Sequence, residues 1–191
     1  ALDHFYLNES AYTIFNKDKI HRPRNPEIYK APYVLFKKGL DCADYSIRAV
    51  YTESDFLYRE TINCIKGSEK DKKTLLNLCG LLNSSLFSYF NLMLGSSTGI
   101  EREQIFLEEL GNYPYVYNDE LVELVEKMQR EEWGKNRNEL QVALNQCVMR
   151  MYGLQDNYFV DYALSIQIPM LCGTYQETKC DTKTMKEYVS I

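Results

Sequence analysis

Histidine is almost missing from this chain: His4 and His21 are the only two in 191 residues. They are not spaced as a ligand pair, and no Ser-His-Asp or Cys-His arrangement can be assembled around them. The six cysteines, Cys42, Cys64, Cys79, Cys147, Cys172 and Cys180, form no Cys-x-x-Cys pair, so no metal site is expected. No apolar run approaches the ~20 residues that a bilayer span requires, and mean hydropathy is −0.41. A membrane protein is therefore not expected. The first residues, Ala1-Leu2-Asp3-His4, lack the basic start and long apolar stretch of a signal peptide. Scattered cysteines without such a leader read as reduced thiols, which gives a cytoplasmic expectation. The absence of an initiator methionine gives a second one, a chain that begins inside a larger protein.

What is present suits a globular domain with a core. Hydrophobic residues make up 45% of the chain, and the length fits one domain or one domain with a helical appendage. The formal net charge of −5 argues mildly against a simple nucleic-acid binder. Its distribution argues the other way, since residues 17–48 hold eight Lys/Arg against four Asp/Glu while every other stretch is acidic.

The hydrophobic pattern changes period along the chain. Ala11 to Phe15 is short and rich in strand formers, and Pro23 and Pro26 punctuate an extended basic loop. Tyr33-Val34-Leu35-Phe36 reads as a strand closed by Lys37-Lys38-Gly39. From Tyr45 to Tyr51, the residues Tyr45, Ile47, Ala49 and Tyr51 alternate with Ser46 and Arg48 as a strand would. Phe56 to Ile65 fits strand or helix. From Lys72 to Leu94, Leu75, Leu78, Leu82, Leu86, Phe90 and Leu94 recur at helical spacing and predict one helix, ended by Gly95–Gly99. Gln104 to Leu110 fits strand or short helix, and Tyr113-Pro114-Tyr115-Val116 reads as extended. Asn118 or Asp119 caps a further helix through Met128, and Glu139 to Tyr152 is another, closed by Gly153. Pro169 limits any helix in the apolar stretch 158–171, and the tail from Glu177 is polar. The expected fold is α+β. A twisted, mostly antiparallel sheet with inserted helices spans residues 1–117, and a helical portion with a C-terminal tail spans 118–191.

Several strings, in their order, carry a resemblance. His21-Arg22-Pro23-Arg24 leads into Ile28-Tyr29-Lys30-Ala31-Pro32-Tyr33-Val34-Leu35-Phe36-Lys37. Leu81-Leu82-Asn83-Ser84-Ser85-Leu86-Phe87 follows, then the Gly95–Gly99 turn, Tyr113-Pro114-Tyr115-Val116 and Met151-Tyr152-Gly153-Leu154. This order resembles the TaqI-like C-terminal specificity (target-recognition) region of type IIG and related N6-adenine restriction–modification DNA methyltransferases, over roughly residues 20–171. The Leu-Asn-Ser helix is its most specific element. The resemblance implies a module that follows a methyltransferase domain, holds double-stranded DNA against it and selects the site. That catalytic domain binds S-adenosylmethionine and extrudes an adenine from the duplex. The family's Phe-x-Gly-x-Gly cofactor loop and its Asn/Asp-Pro-Pro-Tyr/Phe string are both absent here. Asn112-Tyr113-Pro114-Tyr115 has Tyr where the first Pro belongs. No catalytic residue and no cofactor is therefore expected in this fragment.

DNA contact is expected from Lys19, Arg22, Arg24 and Lys30, with Lys17 beside them, and from Lys37 and Lys38. Arginine forks suit base edges and lysines suit phosphates. Ser96 and Ser97, in the Gly95–Gly99 turn, offer hydroxyls and backbone N–H groups to a phosphate, although the same turn also serves as a helix cap. Two other classes compete: a protein-interaction module built on the acidic helices from Asn118 to Tyr152, and a metal-dependent nuclease fragment using Glu177-Thr178-Lys179 or Asp181-Thr182-Lys183 with Asp161. Replacing Arg22 and Arg24 together by Ala is expected to weaken DNA binding and blur site preference of the parent enzyme without lowering the melting temperature. Unchanged affinity and preference in a filter-binding titration would contradict the assignment.

Overall fold

Three strands form the main sheet because the chain offers three short apolar runs joined by turn residues. In the computed structural model, which describes residues 2–7, 25–41, 45–55, 57–97, 104–130 and 136–168, they are β3 (Tyr33–Lys37), β4 (Ala49–Thr52) and β5 (Ile62–Lys66). β3 is central and antiparallel to both neighbours, with Leu35 opposite Val50 on one side and Cys64 on the other. A small hairpin of β1 (Leu2–Asp3) and β2 (Tyr6–Leu7) lies beside them. The α+β expectation holds.

β3 is buried on both faces, which is why it reads as a continuous apolar run rather than an alternating one. Val34 and Phe36, with Ala49 and Tyr51, face the main core under the helices. Tyr33 and Leu35, with Val50, face a second cluster closed by Leu2, Leu7, Tyr58 and Ile62. The expected alternation of Tyr45, Ile47, Ala49 and Tyr51 is present, all four being buried. The regular strand is shorter than predicted because Tyr45 has a φ of 55° and starts the run out of strand geometry. The ambiguous Phe56–Ile65 stretch resolves into strand only from Ile62. Ala11–Phe15 and the tail from Glu177 lie outside the described residues.

The single helix predicted over Lys72–Leu94 is two: α1 (Lys72–Leu82) and α2 (Ser85–Leu94). Asn83 and Ser84 break it, because both side chains compete for backbone groups. Ser84 takes extended backbone and caps α2, accepting from the Phe87 N–H at 3.3 Å while its hydroxyl donates to the Leu81 carbonyl at 2.6 Å. The Asn83 amide uses its full capacity. Its oxygen accepts from the Ala49 N–H at 3.1 Å, and its nitrogen donates to the carbonyls of Ala49 at 2.9 Å and Cys79 at 2.8 Å. Since the Ala49 N–H fixes that oxygen as an acceptor, His4 Nδ1, 2.8 Å away, is the donor to it. A buried side chain thus pairs with β4 as another strand would, tying helix break, sheet and hairpin together.

The remaining helices are α3 (Leu107–Leu110), α4 (Asp119–Arg130), α5 (Arg137–Met151) and α6 (Tyr158–Tyr162), the last continued by a π-helical stretch over Ala163–Gln167. Gln104, expected as strand or short helix, makes an isolated bridge to Gly39, and the helix follows it. The expected Asn118 cap is in place, its side-chain oxygen accepting from the Glu120 and Leu121 N–H groups. α4 approaches α1 closely because position 80 is glycine: a Cβ there would lie 2.8 Å from side-chain carbons of Leu121 and Val125. Gly153, at a φ of 65°, ends α5 in a Schellman turn, with Leu154 N–H bonded to the Met149 carbonyl and Gly153 N–H to that of Arg150. One core cluster runs from Phe5 through the sheet, α1 and α2 to Leu121, Val148 and Val160, on both sides of residue 117.

Asn83→Ala leaves the buried Ala49 N–H without its partner, while the Ala49 carbonyl keeps the Phe5 N–H and the Cys79 carbonyl keeps the backbone N–H of residue 83. It is expected to cost about 2 kcal/mol in urea unfolding, and a loss below about 0.5 kcal/mol would contradict the role given to this amide.

Candidate nucleic-acid interface

The basic segment is anchored on the second face of the sheet. Leu7, where the chain leaves the hairpin, packs in the cluster formed by Tyr33, Leu35 and Val50. At the other anchor, Pro26–Tyr29 forms one 3-10 turn: Pro26 opens it and the Asn25 side chain caps it, accepting from the Glu27 N–H at 3.0 Å. Tyr29 meets Tyr58 edge-on at 5.1 Å, and Tyr58 meets Tyr33 at 6.1 Å. Tyr58 donates to the Ile28 carbonyl at 3.0 Å and Tyr33 to the Ser54 carbonyl at 3.0 Å, so these phenols hold the turn on the sheet. Lys19, Arg22 and Arg24, with Lys17, fall between the two anchors and lie outside the described residues.

Lys30 stands beside this turn, paired with Glu27 at 2.8 Å, both side chains more than half exposed. The partnership raises the Lys30 pKa and lowers that of Glu27, so both stay charged near neutral pH. Lys66, at the end of β5 opposite Tyr33, reaches the Glu27 carbonyl with its ammonium. Lys37 and Lys38 lie at the other end of β3. The Lys38 N–H donates to the Thr61 carbonyl and its carbonyl accepts from Ile105, which fixes the backbone there. The ion pairs among the described residues involve Lys30, Arg48, Lys72, Lys73, Arg130 and Arg150, and neither Lys37 nor Lys38. The sheet therefore carries one lysine pair at each end of β3, four strand residues or about 13 Å apart. Arg48, the last cation of the basic segment, is spent inside the fold, bridging Asp3 at 3.2 Å and Asp41.

Ser96 and Ser97 are elsewhere and are engaged. The Ser96 N–H and hydroxyl both donate to the Glu109 carboxylate. The Ser97 hydroxyl donates to the Gln104 carbonyl at 2.6 Å and accepts from the Gln104 N–H at 2.8 Å. A phosphate at this turn would face the Glu109 carboxylate. Asn112-Tyr113-Pro114-Tyr115 is a surface loop anchored by one residue, Tyr113, which is buried against Phe87 and Phe90.

Sequence reasoning missed Lys66, which a positional reading of β5 as strand would have placed beside Lys30. It also missed a polar stripe on α5: Arg137 donates to the His4 carbonyl, Gln141 to the Asn83 carbonyl, and Asn145 accepts from the Ser85 N–H. The spacing of four residues is visible in the sequence, but the apolar stripe beside it dominates the helical pattern.

Among the described residues no three His, Cys, Asp or Glu side chains converge as a metal site, and no helix is long and apolar enough to cross a membrane. Glu177 and Asp181 lie outside those residues. The fold and this basic segment define an α+β module with lysines at both ends of its central strand. The family model of the TaqI-like C-terminal specificity domain matches residues 4–115. The chain belongs to this family, and with it to the DNA-recognition modules of restriction–modification enzymes. The match takes in the hairpin turn, the basic segment, the sheet and α1 to α3, and ends before α4. A comparison with curated proteins finds no match.

Proposed function

We propose that the chain reads the sequence of double-stranded DNA for an adenine-specific N6 methyltransferase, and that the chemistry belongs to a separate catalytic domain that binds S-adenosylmethionine. The observation that carries this reading is the family match over residues 4–115, which contains both lysine pairs and the basic segment between them and the hairpin. Lys30, Lys37 and Lys38 hold phosphates, with Lys66 added to them. Their separation of about 13 Å along β3 is close to the ~12 Å width of the major groove. Lys19, Arg22 and Arg24, which lie in sequence between anchors set on that same face, contact phosphates and base edges. Ser96 and Ser97 make a secondary contact that requires their release from Glu109 and Gln104. The basic segment concentrates the attraction for the duplex, since the remainder of the chain is acidic. A cytoplasmic location fits such a partner.

One observation favours a protein partner as well: Tyr158, Phe159, Tyr162 and Ile166 expose apolar surface, Phe159 by 77%. A protein-interaction role for this stripe is compatible with DNA recognition by the sheet, and the methyltransferase domain is the partner this reading supplies.

Binding of the chain to a random duplex is expected to weaken steeply with salt. Lys37→Ala with Lys38→Ala is expected to reduce the slope of log affinity against log salt by about 2, one unit for each phosphate no longer neutralised. Affinity that ignores salt, or no binding even at low salt, would sink the DNA reading and leave the protein-interaction one.

A further inference from the structure

A cavity of about 320 Å³ opens where the hairpin turn, the α1–α2 break and the start of α5 meet. His4, Ser85, Arg137, Asn138, Gln141 and Asn145 contribute to its lining, and among the described residues no carboxylate does. In a chain with five more acids than bases, a concavity whose described lining offers donors and a guanidinium is a place that favours an anion. The donors are oriented by the fold. The Asn145 side-chain oxygen accepts from the Ser85 N–H at 3.0 Å and from Gln141 Nε2 at 3.3 Å. That fixes the amide, and its Nδ2 hydrogens have no partner among the described residues and are not sealed in the protein. Arg137 is held by the His4 carbonyl at 3.1 Å and brings a permanent positive charge to the wall. Asn138 stands exposed at the rim.

We propose that this cavity binds a phosphate group, and that in the DNA-bound chain the group is a backbone phosphate. The second half rests on the function proposed above; the first does not. Guanidinium, amide and hydroxyl donors around one space suit phosphate oxygens. The cavity also lies near the basic segment. His4 forms the turn of the hairpin whose far end, Leu7, leads into residues 8–24, and a hairpin this short covers about 10 Å.

Inorganic phosphate titrated into the full chain, followed by amide NMR, is expected to shift Ser85, Asn138 and Asn145 saturably. Asn145→Asp keeps an acceptor for Ser85 and Gln141 but puts a negative oxygen where the free donor was. It is expected to weaken phosphate binding at least about tenfold with the melting temperature little changed. Asn138→Lys, at the exposed rim, is expected to tighten it. On a duplex, Asn145→Asp is expected to lower the salt slope by about 1. No saturable shift at these residues, or phosphate affinity indifferent to both substitutions, overturns the site. Phosphate binding with an unchanged duplex slope in Asn145→Asp overturns its assignment to the DNA backbone. A wild-type chain that binds phosphate here but no duplex at any salt overturns that assignment too, and with it the DNA-recognition reading, while the phosphate site stands.

Discussion

The arrangement depends on a buried amide that pairs with a strand. Asn83 sits where a long apolar helix pattern must turn, and its side chain meets both polar groups of Ala49 on β4 and the Cys79 carbonyl in the last turn of α1. Four hydrogen-bonding positions are filled in a site only 4% exposed. A buried amide left half-satisfied would be costly, so this geometry tolerates little slack. It fixes the direction of α2 away from α1. It also fixes His4, and through His4 the hairpin that closes the second face of the sheet.

That second face is the surface to which the proposed function assigns DNA contact. Because the hairpin covers Tyr33 and Leu35 and the Tyr29–Tyr58 contact seats the 3-10 turn, both ends of the basic segment are held against one side of β3. The lysines at the ends of β3 owe their positions to strand register rather than to a motif: Lys66 is opposite Tyr33 and Lys37 opposite Ile62. The helices carry the acidic charge and face away from this register. α4 is held against α1 by the missing side chain at Gly80, and its outer carboxylates Glu120 and Glu126 are answered by Arg150 and Arg130.

Much of this was legible in the chain. The β3 run, the Asn118 cap, the Gly153 stop and the class of fold follow from local chemistry that tertiary packing did not override. The helix break did not, because leucine spacing from Leu75 to Leu94 stays in phase across Asn83 and Ser84, and periodicity alone cannot see a cap whose partners come from another strand. The candidate site was legible by composition in residues 17–48, but composition could not separate Arg48, committed to Asp3 and Asp41, from Lys37 and Lys38. Nor could it show Ser96 and Ser97 bonded to Glu109 and Gln104, contacts made between residues seven and thirteen positions apart.

Hydrogen exchange of the chain with and without a duplex at low salt tests most directly whether this sheet face meets DNA. The account predicts slowed exchange in the Pro26–Tyr29 turn and at residues 57–61, with the exposed face of α4 unchanged. Slowing confined to α4 and α6, with none in those two segments, would contradict it.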